Sequence, residues 1–190
     1  MIKNAAIFAS GNGSNFQSLV DYAKNGEIDI SVKILVCNNK DAYVINRARE
    51  NGIEVLLIDY SENSILEIES TLIRRLKELE IDYIFLAGFL KKLSPLIISA
   101  FRNKIINIHP SMLPKYKGLH AIKQALDNGD KEIGVTVHYV DEKIDNGPII
   151  LQDLVCVDGL NEEDVYKKVH QLEHRLYAEA IRKILIYERL

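Results

Sequence analysis

The chain alternates short apolar runs with longer segments in which apolar residues recur every three or four positions. The short runs are rich in Ile, Val and Leu and predict strands. The longer, helically periodic segments predict amphipathic helices. Strands are expected at 5–9, 32–37, 53–58, 82–87, 104–108, 133–140 and 149–157. Helices are expected at 14–24, 42–51, 64–79, just after Ser94-Pro95, at 119–128 and at about 161–188. Ile65, Ile68, Leu72, Ile73 and Leu76 make the apolar side of the helix at 64–79. Val165, Val169, Leu172, Leu176 and Ala180 make the buried stripe of the last helix. Apolar strands alternating with helices predict an α/β, Rossmann-like domain with a mostly parallel sheet and helices on both faces. After residue 110 the pattern changes. A Pro- and Gly-marked loop covers 110–118, and 133–140 alternates apolar and polar residues as a half-exposed strand would. Asp145-Asn146-Gly147-Pro148 reads as a turn, so this C-terminal portion is expected to be antiparallel.

Length and composition narrow the class. The 190 residues suit one well-buried domain, and no repeat, linker or low-complexity stretch argues for a second. A 47% hydrophobic and 27% charged composition is that of a globular protein. With a net charge of -3 and a pI near 6.0, the chain lacks the basic footprint of a nucleic-acid binder. Its densest basic stretch, Lys115-Tyr116-Lys117, is short and lies in a loop. Cys37 and Cys156 are the only cysteines, too few for a disulfide framework and not spaced for structural zinc. Both read as small apolar fillers in strands. Met1-Ile2-Lys3-Asn4 runs straight into a strand without signal-peptide features. No apolar run approaches the roughly 20 residues of a membrane span. A cytoplasmic protein without membrane or nucleic-acid partners is expected.

Three places carry candidate chemistry. Ser10-Gly11-Asn12-Gly13-Ser14-Asn15 joins the first strand to the first helix. Such a loop lets backbone N–H groups and a helix N-terminus converge on a phosphate. Its glycines permit close approach or positive φ, and Ser14 or Asn15 can cap the helix. The motif is neither a P-loop nor a full dinucleotide fingerprint, and a tight capped turn would look the same. The second place is Ile105-Ile106-Asn107-Ile108-His109-Pro110. Strand alternation puts Asn107 and His109 on one face, and Pro110 ends the strand. An amide and an imidazole then stand at the carboxyl end of a parallel strand, where open α/β sheets bind ligands. Buried together, each needs a partner. The third is Asp145, which alone would pass for a turn aspartate. His138 fits the core or a site equally, and His120 sits at the expected start of the helix at 119–128.

In order along the chain, Ser10 through Asn15, Leu86-Ala87-Gly88-Phe89, Asn107-Ile108-His109-Pro110-Ser111, Leu113 through His120, Gly134 through His138 and Asp141 through Pro148 form a set. The set resembles the phosphoribosylglycinamide formyltransferases, folate-dependent enzymes of purine biosynthesis, over nearly the whole chain. The resemblance implies transfer of a formyl group from N10-formyltetrahydrofolate, as cosubstrate, to glycinamide ribonucleotide, without a metal. It implies Asn107, His109 and Asp145 as the catalytic trio. It implies Gly11, Asn12, Gly13, Ser14 and Asn15, with Glu173, as ribonucleotide contacts. Phe89, Leu90, Lys91, Lys92 and Leu93, Asn107, and Val140, Asp141, Glu142, Lys143 and Ile144 are implied to line the folate site. The corresponding division is a phosphate-binding half at about 1–110, a folate and catalytic portion at about 85–160 and the long helix at about 161–188 within one domain. A monomer or homodimer is expected.

The expected chemistry is direct attack by the substrate amine on the formyl carbon. Asn107 and protonated His109 would donate hydrogen bonds to the developing oxyanion. An imidazole titrates near about 6.5, and a neighbouring Asp145 would favour its charged form. Four departures from the family pattern stand out. Asn146 takes the place of a frequent glycine, and is expected to accept the turn conformation. Lys91-Lys92 replace a frequent arginine, no arginine lies between Ser61 and Leu66, and the chain ends soon after the last helix, earlier than many relatives, whose extra tail is expected to be dispensable. The rival readings are formyltetrahydrofolate deformylase, another formyltransferase and, from a different class, a non-catalytic phosphate-binding module.

Overall fold

In the computed structural model, residues 1–60 and 64–188 are described. Residues 61–63, in the stretch from Ser61 to Leu66 that carries no arginine, lie outside them. Seven strands form one sheet: β1 (Lys3–Ala9), β2 (Ile30–Cys37), β3 (Glu54–Leu57), β4 (Tyr83–Leu86), β5 (Ile105–His109), β6 (Glu132–Tyr139) and β7 (Ile149–Cys156). Their order is β3-β2-β1-β4-β5-β6-β7. The helices are α1 (Ser14–Lys24), α2 (Val44–Glu50), α3 (Ile65–Glu78), α4 (Pro95–Ala100), α5 (Ala121–Asp127) and α6 (Glu162–Tyr187). The α/β class, the parallel start and the antiparallel end follow the sequence pattern. The chain divides into two compact units, Met1–Ile106 and Asn107–Leu190.

In the first unit, β1 pairs in parallel with both β2 and β4, and β2 with β3. Strand order therefore reverses direction at β1, which makes the carboxyl ends of β1 and β4 a topological switch point. Ala5 through Ala9 are all buried, as are Tyr83 through Leu86, so both faces of these strands are covered. That explains their unbroken apolar runs. Helix α3 begins with a capping box, in which Ser64 and Glu67 satisfy each other's backbone N–H groups. Its apolar side differs from expectation at one end. Ile65 is exposed, whereas Glu69 is fully buried. The Glu69 carboxylate accepts the Ser94 N–H at 3.0 Å and the Ser94 hydroxyl, so a buried charge supports the start of α4.

In the second unit, β6 and β7 are antiparallel, and Gly134 pairs with Leu154. Strand β6 is not half-exposed as its alternation suggested: Ile133 through His138 are all buried. Its polar positions point inward and are satisfied there. The Thr136 hydroxyl donates to the Ser111 carbonyl at 2.6 Å and accepts from Leu113 N at 3.2 Å and Gln152 Nε2 at 2.9 Å. The exposed strand is β7, at the sheet edge. Cys156 on it is exposed, so it is not a core filler, while Cys37 is buried as expected. The stripe Val165, Val169, Leu172, Leu176 and Ala180 is buried along α6. Truncating one such Leu to Ala would cost about 2–5 kcal/mol. Among the described residues, no helix is long and apolar enough to cross a membrane.

Candidate active site

The glycine loop leaves β1 and turns into α1. Gly13 is the N-cap, with φ 79°, and no side chain caps the helix. Ser14 and Asn15, the expected caps, instead form its first turn, because the left-handed glycine closes the loop one residue earlier. A Cβ on Gly13 would lie 2.4 Å from Val44 Cγ2, so the position needs glycine for space as well as for φ. The Gly11 carbonyl accepts Val44 N–H at 3.1 Å, and Arg47 donates to the Asn12 carbonyl at 2.9 Å and to its Oδ1 at 3.0 Å. Ser10 ties this loop to the segment after β4. Its N–H donates to the Gly88 carbonyl, and its Oγ accepts Leu90 N–H at 2.8 Å. Phe89 packs edge-on against Phe8, with ring centroids 5.3 Å apart. Leu90, Lys91 and Lys92 are exposed and Leu93 is buried. The Lys91 ammonium lies 5.6 Å from the centre of the Tyr60 ring. The first unit thus brings the expected phosphate loop and the expected folate-lining segment 89–93 to adjacent strand ends.

The second unit gathers Asn107, His109 and Asp145. Asn107 and His109 leave β5 on one face, as alternation requires, and both meet the Asp145 carboxylate. His109 Nδ1 is 3.5 Å from Asp145 Oδ2, and Asn107 Nδ2 is 3.4 Å from Oδ1. His138, at the end of β6, joins them: its Nε2 is 3.2 Å from Asn107 Nδ2 and 3.6 Å from Asp145 Oδ1. The side chains of His109, His138 and Asp145 are 7%, 2% and 9% exposed, so water screens the cluster little.

Backbone groups set the polarity of each ring. His109 Nε2 lies 2.8 Å from the Tyr116 carbonyl, which only accepts, so Nε2 carries a hydrogen. His138 Nδ1 lies 2.9 Å from the Tyr139 carbonyl and is protonated for the same reason. His138 Nε2 faces both the Asn107 amide and the Asp145 carboxylate: without a hydrogen it accepts from Asn107 Nδ2 and fixes which way that amide faces, and with one it donates toward Asp145 Oδ1. Asp145 accepts the Gly118 N–H at 2.8 Å. Burial pushes the Asp145 carboxyl up. His138 beside it, the Gly118 N–H and the charge of His109 outweigh burial and leave it below its ordinary value. Asp145 is therefore an anion at neutral pH.

The turn that carries Asp145 has a defined conformation. Asp145 itself takes the left-handed backbone, φ 47°, whereas Asn146 does not, so the departure at Asn146 does not test the turn as expected. Gly147 is the constrained position: a Cβ there would stand 1.8 Å from the Tyr139 carbonyl oxygen. Asp141 accepts Lys143 N–H at 2.8 Å and Asn146 Nδ2 at 3.3 Å, which closes the loop 141–146 on itself. Glu142, Lys143 and Ile144 are exposed, and Val140 is half-buried.

A seven-stranded sheet with a β1 switch point and a buried Asn–His–Asp cluster is the frame in which the sequence comparisons fall. The model of the formyl transferase family matches residues 3–181. The chain belongs to that family. Phosphoribosylglycinamide formyltransferase of Bacillus subtilis (strain 168) is 39% identical over 186 residues, covering 97% of this chain and 95% of the relative. The enzyme of the same name from Escherichia coli (strain K12) is 41% identical over 176 residues, covering 92% and 83%. The crystal structure of glycinamide ribonucleotide transformylase 1 from Geobacillus kaustophilus superposes with a TM-score of 0.92 at 43% identity, covering 97% of this chain and all of that one.

In this formyltransferase family member, two further expected residues find their places on α-helices. Glu173 is buried on α6, and its Oε2 lies 2.6 Å from His170 Nδ1. That hydrogen bond raises the His170 pKa against the opposing effect of burial, and the Glu173 charge adds to the rise. His120 is the N-cap of α5, with φ 62°, and is exposed. Sequence reasoning left His138 undecided and did not single out the Tyr116 carbonyl or the Gly118 amide. His138 had one signal: a titratable residue in register with Thr136 and Gly134 on one strand face. Backbone groups have none. Among the described residues, no group of three or more His, Cys, Asp or Glu side chains is placed to hold a metal ion.

Proposed function

We propose that the chain transfers the formyl group of N10-formyltetrahydrofolate to the amine of glycinamide ribonucleotide, in cytoplasmic purine biosynthesis. The observation that carries this reading is the buried cluster of Asn107, His109 and Asp145 in a chain of the formyl transferase family. The amine attacks the formyl carbon, and negative charge develops on the formyl oxygen. One Asn107 amide hydrogen is held by His138. The other, 3.4 Å from Asp145, turns to the oxyanion. His109 keeps its Nε2 hydrogen on the Tyr116 carbonyl, so Nδ1 is the nitrogen that exchanges the catalytic proton. Its imidazolium donates from Nδ1 to the same oxygen, with the Asp145 anion beside it. The attacking nitrogen loses a proton through water. N10 of the folate takes one as its bond to the formyl carbon breaks. No covalent enzyme intermediate is required.

In this reading Gly11, Asn12, Gly13, Ser14 and Asn15 hold the ribonucleotide phosphate at the α1 N-terminus, and Glu173 contacts the ribonucleotide. Phe89 through Leu93 and Val140 through Ile144 line the folate. Replacing His109 by Ala is expected to lower turnover by more than about a hundredfold, the scale of general acid–base catalysis. Near-normal turnover by that variant would defeat the mechanism.

A further inference from the structure

We propose that Tyr116, tethered through its hydroxyl to the turn after α5, is a positioning residue that holds the proton of neutral His109 on Nε2. The inference rests on the catalytic reading of His109. Tyr116 uses its two ends differently. Its carbonyl is the acceptor for His109 Nε2 at 2.8 Å. Its phenol donates to Asp130 Oδ2 at 2.9 Å and accepts from Asn128 Nδ2 at 3.0 Å. Asn128 also donates to Asp130 Oδ1 at 2.9 Å, so the phenol meets a preformed pair.

The backbone at Tyr116 gives the tether its purpose. Its φ of 51° is left-handed, a conformation that costs a residue with a side chain about 1–2 kcal/mol. Relaxing that angle would rotate the peptide whose carbonyl meets His109. Packing beneath the loop offers limited resistance, because a cavity of ≈ 50 Å³ lined by Pro110, Ser111, Met112, Tyr116, Asp130 and Gly134 lies there. The phenol–Asp130 bond is a fixed point on the far side. Two residues on, Gly118 N–H holds the Asp145 carboxylate that faces His109 Nδ1. One short loop therefore sets the partners of both ring nitrogens. The alternative tautomer would aim a ring lone pair at the Tyr116 carbonyl oxygen, which is repulsive.

The test compares Tyr116→Phe, Asp130→Ala and Asp130→Asn by steady-state kinetics and by ¹⁵N NMR of the His109 ring in the whole protein. Loss of the phenol–Asp130 hydrogen bond, which Tyr116→Phe and Asp130→Ala both remove, should lower kcat about threefold to tenfold, with KM for both substrates changed by less than about twofold. In the same variants, the neutral His109 ring should lose its preference for the Nε2–H form. Asp130→Asn keeps one oxygen to accept the phenol but turns its NH₂ toward Asn128 Nδ2, so it should recover part of what Asp130→Ala loses. If Tyr116→Phe fails to fold, the two Asp130 variants carry the comparison. Unchanged tautomer populations in Tyr116→Phe and Asp130→Ala would overturn the proposal, as would an Asp130→Asn variant as impaired as Asp130→Ala. A tautomer shift with unchanged kcat would support the tether and refute instead the catalytic role of His109.

Discussion

Substituting Asp145 by Asn removes a charge while nearly preserving shape, and its expected cost can be worked from the geometry. The carboxylate side chain is 9% exposed and lies 3.5 Å from His109 Nδ1. A unit charge pair at that distance in an effective dielectric of about 20 attracts by roughly 5 kcal/mol. Removing one partner of a buried pair costs about 3–5 kcal/mol in practice, because the other charge is left without compensation. The introduced amide could still accept the Gly118 N–H, but its own NH₂ would face Asn107 Nδ2 and compete with it for His138 Nε2, 3.6 Å from that position. If the imidazolium forms in the transition state, most of the loss falls on kcat. At about 1.4 kcal/mol per decade, turnover should drop on the order of 10² to 10³-fold with little change in KM. The assay is steady-state release of tetrahydrofolate with each substrate varied in turn. Turnover within about tenfold of the parent would refute the reasoning, since no buried charge pair of this kind could then be supporting the reaction. A second readout follows from the depressed Asp145 pKa. A carboxyl lowered in the folded state contributes stability above its unfolded value, near about 3.9, and loses it as pH falls through the folded one. The difference in unfolding free energy between parent and variant should therefore be flat above about pH 5 and shrink below about pH 4.

Two further predictions concern neighbouring features. Replacing Gly147 by Ala would place a methyl 1.8 Å from the Tyr139 carbonyl oxygen, so β6 and the Asp145 turn cannot both keep their places. Turnover should be lost together with at least about 2 kcal/mol of stability, and a variant with parental melting temperature and activity would contradict the geometry. His170→Ala should destabilise the protein by about 1 kcal/mol at pH 5.5, a hydrogen-bonded charge pair discounted because the His170 side chain is 46% exposed. Because its pKa is raised in the folded state, that stabilisation is complete below about 6.5 and fades as pH rises through the folded value. Urea unfolding at pH 5.5 and pH 9 checks it: a gap at pH 9 as large as at pH 5.5 would be the wrong result.

Much of the fold is legible because its signals are local. The apolar runs of β1 and β4 and the stripe on α6 read directly as buried surfaces, and the structure buries them. Failures occurred where burial and polarity part company. Thr136 and His138 alternate with apolar neighbours in β6, which mimics a solvent-facing side. They are buried because each has an inward partner. Glu69 broke the expected stripe of α3 because a distant residue, Ser94, uses its carboxylate. Strand β7 reads like β2 in composition, yet its position at the sheet edge leaves Cys156 exposed. At the site, Asn107 and His109 were visible from strand alternation alone. Asp145 was not, because nothing local distinguishes it from a turn aspartate 36 residues after His109. The Tyr116 carbonyl and the Gly118 amide could not be read at all, since every residue has such groups and only the folded chain aims them.

The central claim is that the acceptor of the formyl group is an amine of a ribonucleotide and not water. The purified chain should be incubated with N10-formyltetrahydrofolate, with and without glycinamide ribonucleotide, while formylated product, tetrahydrofolate and formate are quantified together. The account predicts one formylglycinamide ribonucleotide for each tetrahydrofolate released, with negligible release when the ribonucleotide is left out. Formate released at the same rate in its absence, with no formylated amine, would contradict it.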